Sequence, residues 1–229
     1  MGDIIAIAKK YGFRVIEDSC ETMFVNNIRG DVACFSSYLA HLLVTGVGGF
    51  ITTNNKELAT TMRSMMFHGR DESYLNIDDN PKNISKRYWF PRFGYSDRMT
   101  ELEAALGLGE IDGWREMIED RQNNASYLMQ ELSGLPIQFP ITRIQNHAFM
   151  FFPMLVEDRD KLMLYLEKRG IQTRTMMPLI NQPIAQPYVK KKYPVAQYIG
   201  DHGLLIGCHQ YLTEKDLDYI IDMIKDFYE

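Results

Sequence analysis

The opening segment constrains the fold of this chain most, because its pattern is a helix followed directly by a strand. The apolar side chains between Ile4 and Ala8 fall on one helical face, and Gly12 is a typical stop signal for such a helix. Residues 13–16 then form a short apolar run that ends in the polar residues 17–19, which predicts a buried strand. Together these elements make the second half of a βαβ unit. We therefore expect an α/β fold, and we expect the chain to begin inside a domain whose first strand lies elsewhere.

The next hundred or so residues continue this alternation of strands and helices. Apolar runs predict strands over Val32–Ser36 and Gly49–Thr53. Asn54 or Asn55 can cap a helix that runs to about Met66. Thr100 to Glu103 resembles a capping box, and it opens an amphipathic stretch to about Leu132.

A glycine and two prolines mark a predicted domain boundary at Gly134, Pro136 and Pro140. We therefore predict a partial large domain with a connecting helix over residues 1–133 and a small domain over residues 134–229. In the second part the patterns predict short strands mixed with helices, which is typical of an α+β domain. The predicted strands cover 148–156, 171–174 and 203–206, and the predicted helices cover 159–168 and 214–227.

Charge and cysteine content exclude several classes of protein. The chain has 229 residues and a net charge of −5, which makes nucleic acid a poor default partner. No signal peptide or membrane span is readable. Cys20, Cys34 and Cys208 are odd in number and far apart, which is typical of reduced cytoplasmic thiols. No metal site is predicted, because Cys208 and His209 lack a second pair at metal-binding spacing.

Basic and aromatic residues alternate in the stretch from Lys82 to Arg98. Such a mixture can bind a nucleoside diphosphate or single-stranded nucleic acid. The acidic net charge argues against nucleic acid, and a solvated loop that faces a dimer partner is the simpler interpretation.

Polar residues collect where the first two predicted strands end. Asp18 follows the first strand, Glu21 comes three residues later, Ser36 ends the next strand and His41 lies five residues beyond it. The glycine-containing turn Thr45–Gly49 comes directly afterwards. Ligand sites of open α/β sheets lie at the carboxyl ends of strands, so the order predicts a site here. A lone Asp at such a place can also serve only as a cap or a solvated turn.

Six segments, in order along nearly the whole chain, resemble the DegT/DnrJ/EryC1/StrS family of pyridoxal-phosphate sugar aminotransferases. The resemblance implies the fold-type-I architecture of that family: the C-terminal part of the large cofactor-binding sheet domain, a small α+β domain and a homodimer with shared active sites. It begins well inside the family's large domain, so we expect an N-terminal complement to supply the earlier strands. The segments are Glu17–Glu21, Cys34–Gly49, Gly94–Ala105, Gly170–Arg174, Pro194–Ala196 and Leu212–Glu214.

The resemblance also implies roles for four residues. Asp18 matches the aspartate that pairs with the pyridine nitrogen of the cofactor, which keeps the ring protonated as an electron sink. Ser36 matches the hydroxyl that contacts the cofactor phosphate. Glu21 occupies the position of a glutamine near the ring hydroxyl. Ser96 replaces an asparagine that reaches a phosphate in the neighbouring subunit, and its side chain is shorter.

His41 is the most informative departure from the family pattern, because it stands where aminotransferases carry the Schiff-base lysine. An imidazole cannot form that bond, but it can exchange protons near neutral pH. Together with Glu21, this change resembles the family's nucleotide-sugar 3-dehydratases, which hold pyridoxamine phosphate noncovalently. The resemblance thus implies that His41 and Glu21 are catalytic residues in 3-dehydration of a nucleotide-linked 4-keto-6-deoxyhexose.

Two other functions stay open from the sequence. The chain can be an inactive, truncated homologue that binds a companion chain or a sugar nucleotide, or a nucleotide-sugar aminotransferase that uses another lysine. No lysine lies near Ser36, which weakens the second. Dehydratases of this kind regenerate the cofactor with glutamate or through an iron–sulfur cluster. Three scattered cysteines favour glutamate, since a cluster needs about four thiolates.

Overall fold

The computed structural model describes residues 1–24, 28–70 and 88–229. These residues form two compact units, Met1–Asp112 and Gly113–Glu229. Residues 82–87 of the basic and aromatic stretch from Lys82 to Arg98 lie outside the described residues.

The first unit combines a small mixed sheet with helices that largely match the predicted ones. Its elements are α1 (Gly2–Tyr11), β1 (Ile16–Asp18), β2 (Val32–Ser36), β3 (Gly49–Thr52), α2 (Lys56–Met66) and α3 (Glu101–Ile111). Strand β1 runs parallel to β2, and β3 pairs with the other edge of β2 in the antiparallel sense. The helix followed by a strand at the start of the chain is present as predicted, whereas the other strand of the predicted βαβ unit is not among the described elements.

Local signals explain where these helices begin and end. Gly12 ends α1 in the left-handed conformation, with φ of 71°. The Asn55 side chain caps α2 by accepting a hydrogen bond from the Leu58 amide at 3.0 Å. The predicted capping box of Thr100 and Glu103 opens α3, where the Glu103 carboxylate accepts the Thr100 amide at 2.6 Å.

The predicted buried strand over residues 13–16 is wrong in position and in burial. Strand β1 begins only at Ile16, because the Val15 amide donates to the Asp31 carboxylate at 2.8 Å instead of to a strand neighbour. Phe13 is 64% exposed and Ile16 is 68% exposed. Within the described part of the chain, β1 pairs along one edge only.

The second unit is an antiparallel sheet of four strands in the order β4-β5-β7-β6, packed with helices. Its elements are α4 (Trp114–Glu131), β4 (Ile137–Gln138), β5 (Phe151–Val156), α5 (Arg159–Glu167), β6 (Thr173–Thr175), α6 (Pro194–His202), β7 (Gly203–Gly207) and α7 (Glu214–Tyr228). The α+β architecture matches the expectation for this part of the chain. Helix α6 lies in a segment to which the sequence patterns assigned no element.

Helix α4 packs into the core of the second unit. Its residues Ala125 and Leu128 are fully buried in the cluster that also contains Phe152 and Ile224. The compact units therefore divide at Asp112, ahead of the boundary predicted after residue 133. The single amphipathic stretch predicted to reach Leu132 is likewise two helices. No helix among the described ranges has the length and apolar character needed to cross a membrane.

Candidate functional site

The first two strands bring Asp18 and Ser36 to the same edge of the small sheet. Asp18 lies opposite Cys34 in the parallel register, and the Ser19 amide donates to the Cys34 carbonyl at 2.9 Å. Ser36 is the last residue of β2, two positions beyond Cys34. The carboxyl ends of β1 and β2 therefore present a carboxylate and a hydroxyl side by side, as their order in the sequence predicted.

Asp18 is an exposed carboxylate that is ionised at neutral pH. Its Oδ1 accepts a hydrogen bond from the Cys20 amide at 3.2 Å. Hydrogen bonds from the thiol and the amide of Cys20 hold the pKa of Asp18 below its usual value, and the charge of His41 acts in the same direction. The anion can therefore hold a cationic group.

The Cys20 thiol supports Asp18 and is itself unreactive. It lies between the Asp18 carboxylate and the Cys34 carbonyl oxygen, which is 4.0 Å away. Its hydrogen bond to Asp18 and its partial burial raise the pKa of Cys20 to about 11. The thiol is therefore protonated near pH 7 and serves as a donor.

His41 lies on the loop between β2 and β3, and this loop folds back on itself. The Ser37 amide donates to the Gly48 carbonyl at 3.1 Å, and the Thr45 amide donates to the Ser37 carbonyl at 2.9 Å. Gly46 and Gly48 allow the return, because their φ values of 88° and 112° favour glycine. The ends of the loop thus meet and present His41 near Asp18.

The His41 ring is half-buried, and it carries a nitrogen without a partner. Nδ1 is inaccessible to solvent and has no hydrogen bond from any described residue. The Tyr38 ring stands edge-on to the imidazole, with centroids 6.0 Å apart and planes at 74°. An unsatisfied buried polar atom is unusual in a protein.

Ser36 keeps a proton that it can donate. Its Oγ accepts the Tyr38 amide at 3.2 Å, an interaction that uses a lone pair and fixes the hydroxyl at the start of the loop. The hydroxyl proton is therefore suited to an anionic oxygen such as that of a phosphate.

Glu21 and Ser96 are not brought into contact with these three residues. Glu21 is exposed in the turn after β1, and Ser96 is exposed before α3, where its Oγ accepts Arg98 Nη2 at 2.9 Å. Neither side chain hydrogen-bonds to Asp18, Ser36 or His41 in the ranges that the structure describes. Their predicted roles near the cofactor stay predictions.

Sequence reasoning missed the residues that support the site. It assigned no role to Cys20, or to Ser37 and Thr45, whose hydroxyls meet in the base of the His41 loop. The signal that could have pointed to Ser37 and Thr45 is that both are polar residues at the ends of a short loop between two strands.

The described residues contain no group of three His, Cys, Asp or Glu side chains that could hold a metal ion. Cys208 is buried and donates to the Arg121 carbonyl at 3.5 Å, and burial raises its pKa to about 12.

Comparison with known proteins gives a consistent family assignment. The model of the DegT/DnrJ/EryC1/StrS aminotransferase family matches residues 1–225. The chain is 28% identical to GDP-perosamine synthase of Caulobacter vibrioides over 96% of its own length and 60% of that protein. It is 25% identical to dTDP-4-dehydro-2,6-dideoxy-D-glucose 3-dehydratase of Saccharopolyspora spinosa, over 98% of its length and 55% of that enzyme.

The structural comparison agrees with the sequence. A DegT DnrJ EryC1 StrS aminotransferase from Brucella abortus superposes with a TM-score of 0.84 at 28% identity, over 98% of this chain and 60% of that one. The predicted fold-type-I architecture is thereby confirmed. The chain spans about 60% of the length of the relatives that it matches. The family match covers nearly every residue, and the chain belongs to the DegT/DnrJ/EryC1/StrS aminotransferase family.

Proposed function

We propose that the chain is part of an enzyme that removes the C3 hydroxyl of a nucleotide-linked 4-keto-6-deoxyhexose. One observation carries the proposal: His41 lies near Asp18 on the loop that follows β2, at the position that by resemblance belongs to the family's Schiff-base lysine. A histidine there supports proton transfer and does not support covalent attachment of a cofactor.

The cofactor of this family is pyridoxal phosphate or its pyridoxamine form, and the residues of the site fit it. The Asp18 carboxylate suits a protonated pyridine nitrogen, and the Ser36 hydroxyl suits a phosphate oxygen. The His41 imidazole is half-buried near Asp18, and a ring of this kind can exchange a proton with a bound group. When bound, the cofactor supplies an electron sink and an amine for the sugar ketone.

Each residue has a distinct task in this proposal. Asp18 holds the positive charge of the ring nitrogen throughout, and Ser36 holds the phosphate. Glu21 orients the ring hydroxyl. His41 would take the proton released from the amine-bearing carbon of the cofactor and give it to the departing C3 oxygen, so that this proton and the hydroxide leave as one molecule of water.

The relatives support the substrate class. The Saccharopolyspora protein is a 3-dehydratase of a nucleotide-linked keto sugar. The Caulobacter protein, a GDP-perosamine synthase, supports a nucleotide-linked substrate and also keeps an aminotransferase as the main alternative. By resemblance, His41 stands in place of the family's lysine, and a histidine there favours dehydration.

We also propose that a second polypeptide covers the first unit in the working enzyme. This polypeptide is either a second copy of the chain, as in a homodimer, or a segment that corresponds to the part of the relatives that this chain does not match. Helix α1 exposes Ile4, Ile7 and Tyr11 on one face, and the Tyr11 ring stacks on Phe13 with centroids 6.0 Å apart. Ile16 adds a further exposed apolar side chain on β1, whose second edge pairs with no strand among the described residues. Such edges and patches favour association with another chain.

An isotope experiment tests the proposed reaction. The chain is incubated with pyridoxamine phosphate and a 4-keto-6-deoxyhexose nucleotide that carries ¹⁸O at C3. It is assayed alone and with the part of the Caulobacter relative that it does not match. We expect ¹⁸O in the water and a product that has lost the C3 oxygen. His41→Asn should abolish this release, and His68→Asn, at an exposed histidine of the same unit, should not.

The other outcomes separate the alternatives. An amino sugar that retains ¹⁸O at C3 in the presence of glutamate would identify an aminotransferase. Binding of the sugar nucleotide without any release of label, in the presence of the added polypeptide, would identify an inactive binding protein.

A further inference from the structure

Two buried hydroxyl groups meet beneath the loop that carries His41. Ser37 is completely buried, and Thr45 is 3% exposed. Ser37 Oγ and Thr45 Oγ1 are 2.6 Å apart. Neither residue was assigned a contact with the cofactor. Ser37 lies directly after β2, and Thr45 lies before the turn into β3.

Thr45 Oγ1 is the centre of a small network of hydrogen bonds. It reaches the Ser37 hydroxyl at 2.6 Å, the Val47 carbonyl oxygen at 2.8 Å and the Ser37 carbonyl oxygen at 3.4 Å. A threonine hydroxyl can donate one hydrogen bond and also accept, so Thr45 links Ser37 to the backbone of Val47. In such a network each bond polarises the next.

This network ties together the two ends of the loop in which His41 lies. The Thr45 amide also donates to the Ser37 carbonyl at 2.9 Å, so main chain and side chains join the same two residues. Between these ends, Leu42 and Leu43 are buried directly after His41. The His41 backbone is thus held from both sides, with its amide bonded to the Tyr38 carbonyl at 2.9 Å.

We infer that Ser37 and Thr45 are positioning residues for His41. They fix the loop so that the imidazole stays half-buried beside Asp18, with Nδ1 shielded from water. An apolar pair of the same size would fill the space equally well and would hold the loop less firmly, because apolar contacts have no direction. The catalytic meaning of this positioning rests on the proposed function, whereas the positioning itself does not.

The test measures how readily His41 reacts with diethyl pyrocarbonate, a reagent that modifies accessible imidazole nitrogens. Thr45→Val removes the shared hydroxyl at nearly constant volume, and Thr45→Ser retains it. Mass spectrometry gives a separate rate for each of the five histidines. We expect Thr45→Val to raise the rate at His41 about fivefold, the factor that corresponds to one net hydrogen bond. Thr45→Ser should leave that rate within twofold of the wild-type value.

The remaining histidines distinguish positioning from general loosening. His147, His202 and His209 lie in the second unit and should keep their rates in both variants. An unchanged rate at His41 in Thr45→Val, or an equal rise at all five histidines, would overturn the inference. If Thr45→Val does not fold, Ser37→Ala removes the same bond from its other end, and the same two outcomes decide.

A cofactor titration of the same variants keeps this inference separate from the proposed function. Suppose that His41 alone reacts faster in Thr45→Val, but the wild-type protein binds no pyridoxamine phosphate even with the complementing polypeptide. The positioning role of Thr45 would then stand, and the proposed function would be refuted. Tight cofactor binding with no selective change at His41 would do the reverse.

Discussion

Replacing Asp18 by asparagine should weaken cofactor binding strongly and leave the fold intact. Asp18 is exposed, and asparagine can keep the hydrogen bond that Oδ1 accepts from the Cys20 amide at 3.2 Å. We therefore expect the free energy of unfolding to change by less than about 0.5 kcal/mol. The loss falls on the bound state, where a hydrogen bond to a charged group contributes about 1.5–3 kcal/mol. That range corresponds to a Kd that is raised roughly 10- to 150-fold.

The assay is a titration with pyridoxamine phosphate, in the presence of the complementing polypeptide, followed by fluorescence and by chemical denaturation. Asp31→Asn is the matched control, because Asp31 is a carboxylate of the same unit whose pKa is also lowered. Its oxygens accept hydrogen bonds from the Val15 amide and Arg14 Nη1, both at 2.8 Å, so this change should affect stability and not affinity. A Kd for Asp18→Asn within twofold of wild type would refute the role of Asp18.

The pH dependence of binding has a defined sign. Because the pKa of Asp18 lies below its usual 3.8, the carboxylate stays charged throughout the neutral range. Its contribution to binding should be complete above about pH 5 and should disappear as the pH falls through the pKa of the folded protein. The Asp18→Asn protein should lack this acid limb.

Three further predictions concern the surface and the second unit. Phe13→Ser should reduce self-association of the isolated chain in light scattering, because it removes an aromatic ring that is 64% exposed. The same change should weaken binding of the complementing polypeptide. Leu128→Ala should lower the free energy of unfolding of the second unit by about 2–5 kcal/mol in denaturant titrations, because Leu128 is fully buried; a smaller loss would mean that the core there is loosely packed. Asp216→Asn should destabilise α7 at neutral pH, because hydrogen bonds from Thr213 depress the pKa of Asp216 below its usual 3.8. The difference in thermal unfolding from the wild type should be constant above about pH 5 and should shrink as the pH falls through that lowered pKa.

Local signals predicted most of the secondary structure. Asn55 and Thr100 mark helix starts because their side chains accept or exchange hydrogen bonds with nearby backbone amides, an interaction within three residues. The run Val32–Ser36 is a strand as expected, and Gly12 ends the helix that precedes β1. These features depend on neighbours in sequence and are readable there.

Features that depend on distant contacts were not predictable. Residues 13–16 have the apolar pattern of a buried strand, yet the Asp31 side chain accepts the hydrogen bond of the Val15 amide and the strand starts later. Helix α4 belongs to the second core because Leu128 packs with residues such as Ile224, nearly a hundred positions away. The hydrogen bond between Ser37 and Thr45 depends on how the loop folds back, and the loop conformation could not be predicted from the sequence.

The variant His41→Lys shows whether position 41 faces the reactive carbon of the cofactor, as the proposed function requires. A lysine there should react with added pyridoxal phosphate to give a yellow, covalent adduct that borohydride fixes, and dehydration should be lost. Peptide mapping should locate the pyridoxyl group at position 41, whereas His68→Lys should give no adduct at position 68. A His41→Lys protein that binds the cofactor but carries the label elsewhere, or nowhere, would contradict the account.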